Sequence, residues 1–325
     1  MADTQALKSL IWEKIRFTPD VVNARRRGAP IVALESALIT HGLPFPYNLQ
    51  IVEEMEAEVR SAGATPAAIA IMEGMIHVGM DRASLERLTA QATLYKVSPR
   101  DLSRLFLRGE SGGTTVAGTM FIANAIGIKV FATGGIGGVH RPSTPERGKT
   151  WDVSADLPQL ANTPMIVVCA GAKAILDLSA TIEYLETHGV PVIGYQTDRF
   201  PAFYTRSSRL PVSARADSPD DVVQMAHVHW GLGLESALLV AVPPPLEVAL
   251  PEDMVRQAVR EALKAAREEG VRGQKVTPFL LERVNEITGQ ASLTANLGLL
   301  RNNARVAGEI AAFLAKLMGS AGVII

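Results

Sequence analysis

Short apolar runs alternate with longer amphipathic stretches along most of the chain. Ile31–Leu34, Ala67–Met72, Lys129–Thr133, Met165–Cys169, Val192–Tyr195 and Leu238–Val242 are largely apolar without strict alternation and read as buried strands. Glu73-Gly74 suits a tight turn, so Met75–Val78 should return antiparallel to the run before it. Helical spacing fills the intervals. A Pro- and Gly-containing loop spans Thr40–Pro46, and Asn48 stands where a cap belongs before the helical pattern Leu49–Ser61. Thr114–Ile126 is small and apolar at helical spacing. Ser179 is placed to cap a helix reaching Thr187, which Gly189 would terminate and Pro191 would keep from resuming. Ser218-Pro219-Asp220-Asp221 combines a cap, a first-position proline and acids in the first turn. Helices dominate from Pro251 onward, with breaks near Gly270 and Gly289.

Strands alternating with helices predict a three-layer α/β/α fold with a mostly parallel central sheet, and the hairpin at Gly74 makes that sheet mixed. No linker-like, repeated or low-complexity segment interrupts the chain. We therefore expect a single domain over residues 1–325, with residues 1–20 as an N-terminal helical extension. A hydrophobic fraction of 47% supplies a large core, while a net charge of −1 gives no electrostatic footprint for nucleic acid or an anionic membrane. No apolar run reaches the ~18 residues that span a bilayer. Cys169 is the only cysteine, which excludes an internal disulfide and fits a reducing compartment. Asp3, Lys8, Glu13 and Lys14 make the first residues unlike a secretion signal. The expectation is a cytoplasmic protein without nucleic-acid or membrane partners, in which a few local cations could hold a small anion.

Three segments could carry chemistry. Glu35 follows an apolar strand, where it is either a solvated acid or a partly desolvated one able to donate a proton near neutrality. Lys173 lies just past the strand ending at Cys169, on the side of an open α/β sheet where ligands bind. It is either a surface lysine or an amine nucleophile, and imine chemistry needs that amine neutral at the moment of attack. Asp152 and Asp156 follow a long polar loop and suit either turn capping or a hard divalent ion. Thr133-Gly134-Gly135-Ile136-Gly137-Gly138 fits neither a P-loop nor G-x-G-x-x-G, since His140 stands where the last glycine should be. His227 and His229 are two apart on a predicted helix and point about 200° from each other, so they make a poor metal pair. Cys169 reads as a core thiol.

In order along the chain, ALESALITHGLPFPYNLQ from Ala33, KVSPRDL from Lys96, GGTTVAGTM from Gly112, IKVFATGGIGGVHR from Ile128, DVSADL from Asp152, VVCAGAKAILDL from Val167, GVPVIGYQTDRFPAFYTRSS from Gly189 and VTPFLLERVNEITGQASLTANLGLLRNNAR from Val276 resemble the pseudouridine-5′-phosphate glycosidase family, also called the indigoidine synthase A family. The resemblance covers nearly all of the chain beyond its first twenty or so residues. It implies a lyase that reversibly cleaves the carbon–carbon bond of pseudouridine 5′-phosphate to give uracil and ribose 5-phosphate. By position, Glu35 is similar to the family's proton donor and Lys173 to its imine-forming nucleophile. Asp152 resembles the ligand of a manganese ion, one per subunit, with Mg2+ as an alternative. Lys96, Val116, Ser154, Ala155 and Asp156 match substrate-binding positions, and Thr133, His140 and Asn296 fall in matched segments as further site neighbours. The resemblance also implies a homotrimer. Two departures stand out. The loop between His140 and Asp152 is about four residues longer than the family pattern, and Ser36-Ala37 replaces the usual Ser-Thr after the acid.

Overall fold

The computed structural model describes residues 12–141, 152–271 and 276–321. In chain order its elements are β1 (Ile15–Phe17), α1 (Pro19–Arg26), β2 (Ile31–Leu34), α2 (Tyr47–Ser61), β3 (Thr65–Met72), β4 (Met75–Val78), α3 (Arg82–Thr89), β5 (Tyr95–Val97), α4 (Leu102–Arg108), β6 (Gly112–Thr114), α5 (Val116–Ala125) and β7 (Val130–Ala132). There follow α6 (Asp156–Ala161), β8 (Ile166–Cys169), α7 (Leu178–Thr187), β9 (Val192–Tyr195), β10 (Ala214–Ala216), α8 (Pro219–Gly231), β11 (Leu238–Ala241), α9 (Glu252–Glu268), α10 (Val276–Ile287) and α11 (Ala291–Ala321).

One 11-stranded sheet runs β1-β4-β3-β2-β7-β8-β11-β9-β10, with β6 added to β3 and β5 to β6. Only β3–β4 and β3–β6 are antiparallel, and the other eight described pairings are parallel. Helices cover both faces, giving three layers. This is why β8 (Ile-Val-Val-Cys) and β11 (Leu-Leu-Val-Ala) are apolar at every position and wholly buried. The long helix α11 packs against α2 and lies over β2, β7 and β8. Among the described residues no helix is long and apolar enough to cross a membrane.

β3 belongs to two neighbourhoods. Thr65–Ala68 pairs with β2, whereas Ile69–Met72 pairs with β4 and Ala70–Ile71 with β6. β2 has already ended at Leu34, so β3 runs on past it and β6 takes the adjacent place. This packing needs a glycine: a Cβ on Gly113 would lie 2.6 Å from the Ser36 carbonyl oxygen and 2.3 Å from Thr40 Oγ1. The Gly74 hairpin forms as the sequence predicts, with positive φ at both Glu73 and Gly74.

Four expectations need correction. Helix α2 starts at Tyr47, and Asn48 is not its cap: the Asn48 amide is turned inward and donates to Ile39 O at 3.0 Å. The Thr40–Pro46 loop is partly helical, because Leu38–Gly42 forms a π-helical turn. Asp177, not Ser179, caps α7 by accepting from Ala180 N at 3.1 Å. Ile15–Phe17, within the expected helical extension, is strand β1, paired with β4, while residues 1–11 lie outside the described residues. The Ser218 cap holds: its Oγ accepts from Asp221 N, and the Asp221 carboxylate accepts from Ser218 N.

Cys169 ends β8 with no exposure, and burial pushes its thiol up to about 12. At neutral pH a thiol reagent should leave the folded protein unlabelled and modify one site after denaturation. Rapid labelling of native protein would contradict this burial.

Candidate active site

Beyond the carboxyl ends of β2 and β8 lies a cavity of about 400 Å³. Glu35, the residue after β2, lines it, and Ser36 fixes that strand end. The Ser36 hydroxyl donates to Ile69 O at 2.6 Å and accepts from Thr114 N at 2.9 Å, tying it to β3 and β6. Lys173 arrives through Ala170-Gly171-Ala172. Gly171 has φ +86°, and a Cβ there would lie 2.3 Å from Pro201 O, so the turn tolerates only glycine. Lys173 N donates to Ile136 O at 3.1 Å, and its Nζ donates to Gly135 O at 2.8 Å.

The glycine-rich segment is a close-packed junction. A Cβ on Gly135 would meet the Phe203 ring at 2.6 Å, and one on Gly137 would lie 2.2 Å from Ser154 Oγ. Gly137 N donates to Asp156 Oδ2 at 2.8 Å, while Ala117 N donates to Oδ1 at 2.9 Å. These two bonds lock a buried carboxylate into the wall. Val139 and Val153 form an antiparallel bridge, flanked by His140 N to Asp152 O at 2.9 Å and Ser154 N to Gly138 O at 3.0 Å. Asp152–Ser154 is thereby held beside Gly138–His140, although the loop expected to exceed the family pattern lies in residues 142–151, outside the described residues.

Glu35, Lys96, Val116, His140, Asp152, Ser154, Ala155, Asp156, Lys173 and Asn296, all singled out in the sequence, line the one cavity. Thr133 does not. It is wholly buried, and its hydroxyl donates to Glu35 Oε1, so it reaches the site only through that acid. Sequence reasoning missed His41, Ser98, Arg100, Thr115, Phe203 and Leu281, which also line the cavity. All six fall inside the matched stretches, but nothing in their type or spacing set them apart. Phe203 has φ +63°, a left-handed conformation costly for a bulky residue, and no composition signal announces it.

The electrostatics follow from crowding. Burial raises the Glu35 pKa; Lys173, the Thr133 bond and Lys96 oppose that, Asp156 reinforces it, and the net shift is upward. Lys96 is pushed down by burial and then by the Lys173 charge, against the pull of Asp156 and Glu35. Burial also lowers His140, opposed by Asp152. The cavity therefore offers a proton-retaining acid, a lysine amine and a fixed carboxylate.

As for a metal, no group of three or more His, Cys, Asp or Glu among the described residues could hold one. Asp152 lines the cavity as a single exposed carboxylate. That donor set suits a hard divalent ion that keeps most of its shell as water, and does not suit a four-ligand zinc site.

The raised Glu35 pKa has a consequence for stability. The acid is protonated in both folded and unfolded chains at low pH, and a penalty builds as pH rises from the unfolded toward the folded pKa. Glu35→Gln should therefore be more stable than the parent at neutral and alkaline pH and lose that advantage in acid. Urea midpoints across pH measure it, and a variant less stable at every pH would refute the burial effect.

The family model described as indigoidine synthase A like protein matches residues 20–313. The Escherichia coli pseudouridine-5′-phosphate glycosidase is 49% identical over 308 residues, covering 94% of this chain and 97% of its own length. The Chloroflexus aurantiacus protein of the same name is 50% identical over 307 residues, covering 93% and 99%. Among solved structures, the prealnumycin C-glycosynthase AlnA in complex with ribulose 5-phosphate superposes with a TM-score of 0.85 at 39% identity, covering 94% of this chain and 98% of that one. An indigoidine synthase A-like protein from Thermotoga maritima gives 0.83 at 34% identity, covering 93% and 96%. With the fold, the cavity and these relatives in agreement, the chain belongs to the indigoidine synthase A-like family.

Proposed function

We propose that this chain catalyses reversible cleavage of the carbon–carbon glycosidic bond of pseudouridine 5′-phosphate, releasing uracil and ribose 5-phosphate. The observation that carries the reading is the meeting of Glu35 and Lys173 in one cavity, with burial raising the pKa of the acid. Support also comes from relatives named for this activity at about half identity. A solved neighbour in complex with a pentulose phosphate adds to it.

The chemistry explains why an acid and an amine belong together. Ordinary glycosidases protonate a leaving oxygen or nitrogen and pass through an oxocarbenium-like state. A carbon leaving group has no lone pair to protonate, so another electron path is needed. Glu35 gives its proton to the ribose ring oxygen as the Lys173 amine attacks C1′ and the C1′–O4′ bond breaks. Uracil C5 then takes a proton. The attached nitrogen gives up the proton that C5 takes, its freed pair moves toward C1′ to form the imine, and the C1′–C5 electrons return to the base. Water hydrolyses the imine to ribose 5-phosphate and frees Lys173. Lys96 and Ser154 grip phosphate or base, and Asp156, held by the Ala117 and Gly137 amides, is a fixed carboxylate in the wall.

A manganese or magnesium ion would be held by Asp152 with water completing its shell. When bound, it would supply a positive centre that orders water and a polar group of the substrate. The family resemblance further supports a homotrimer, and the single buried thiol fits a cytoplasmic enzyme. The C-glycosynthase neighbour favours one second reading, that the cavity works mainly in the bond-forming direction. Uracil consumption with ribose 5-phosphate, against uracil release from the nucleotide, separates the two in an ultraviolet assay.

Borohydride with ribose 5-phosphate should fix a sugar phosphate on Lys173. Undiminished trapping in Lys173→Ala would remove this lysine from the nucleophile's role. Glu35→Ala should lose roughly 10²–10⁴-fold in kcat, and near-normal turnover would remove the acid. Chelation should suppress turnover and Mn2+ restore it. Asp152→Asn should need more Mn2+ for half-maximal rate, and an unchanged requirement would separate Asp152 from the ion.

A further inference from the structure

Asn303 lies within α11 and is wholly buried. Its Nδ2 donates to Thr133 O at 2.9 Å and to Gly134 O at 3.4 Å, across 170 positions of sequence in the first case. Its Oδ1 has no hydrogen-bond partner among the described residues. Leaving a buried oxygen unpaired costs stability, and an apolar side chain of similar size would avoid that cost. The amide is therefore held in place for its donors.

What it grips is the link to the acid. Thr133 N donates to Val168 O at 3.0 Å, Thr133 O accepts from Asn303, and Thr133 Oγ1 donates to Glu35. Of these contacts, Asn303 supplies the one from outside the sheet. Gly134 O also accepts from Ala170 N at 2.9 Å, at the root of the turn that carries Lys173, and the next residue, Gly135, accepts from Lys173 Nζ. Asn303 itself does not line the cavity.

We propose that Asn303 is a positioning residue: by pinning the Thr133–Gly134 backbone to α11, it keeps the Thr133 hydroxyl on the Glu35 carboxyl. This rests on the reading of Glu35 as the proton donor. The charged groups facing Glu35 are Lys173 from the turn after β8, Lys96 from β5 and Asp156 at the start of α6. None of them is touched by replacing Asn303. The Thr133 bond favours the ionised acid, so loosening it leaves Glu35 protonated to higher pH.

The test is a double-mutant cycle on the pH profile of kcat/KM, using the full enzyme with Asn303→Ala, Thr133→Val and the pair. The falling limb at high pH should move upward in Thr133→Val and in Asn303→Ala. Adding Asn303→Ala to Thr133→Val should move it no further. KM should stay near the parent value while kcat falls roughly tenfold. If Thr133→Val leaves the limb in place, the limb does not belong to Glu35, and the reading of the acid fails. If Thr133→Val moves it and Asn303→Ala does not, or the two shifts add, the positioning role fails. Asn303→Ser, which retains a shorter donor, replaces the alanine variant should that one not fold. If neither folds, Asn303 serves stability alone and the proposal is overturned.

Discussion

Two lysines and three carboxylates line one cavity, and its chemistry depends on burial outweighing attraction at Glu35. Coulomb attraction to Lys173 and Lys96, helped by the Thr133 hydroxyl, draws the acid toward ionisation. Withdrawal from water works the other way and prevails. An ionised Glu35 beside a protonated Lys173 would be an ordinary ion pair with no proton to give and no lone pair to attack. Burial raises the Glu35 pKa and so favours the protonated acid, the form that has a proton to give.

The scaffold exists to keep those groups at fixed separations without a flexible arm. Glu35 and Lys173 sit at or just beyond strand ends, where the backbone is already fixed by the ladder. The glycines around them act by subtraction. At Gly113, Gly135, Gly137 and Gly171, a single extra carbon would collide with a carbonyl, a ring or a hydroxyl of the site. Asp156, with an amide on each oxygen, is the third fixed point, joining α5, the glycine segment and α6.

Much of this was legible in the sequence, for identifiable reasons. An acid and a lysine directly after fully apolar runs can only lie at the rim of a covered sheet, and both do. Hairpin and cap chemistry at Gly74 and Ser218 is local and reads correctly. What failed was non-local. Asn48 has the right type for a cap, but tertiary packing turned its amide toward Ile39. The three residues of β1 are too few to carry a period, so pairing with β4 alone makes them strand. Thr133 stands as a site neighbour only because it falls in a matched stretch; in the fold it is buried, bonded to Glu35, and held from behind by Asn303 of α11, far away in the chain. The glycine run fits no standard nucleotide-binding motif, and its crowding comes from Phe203 and Ser154, which no short motif includes.

The bridge between Val139 and Val153 has an evolutionary corollary. Because the chain departs and returns at one stapled point, whatever lies between can grow or shrink while Asp152 keeps its address. The entropy of closing such an excursion rises only with the logarithm of its length, so a few added residues are thermodynamically cheap. The segment after Arg141 is thus a place where members of this lineage can diversify the approach to a shared reaction centre without rebuilding it.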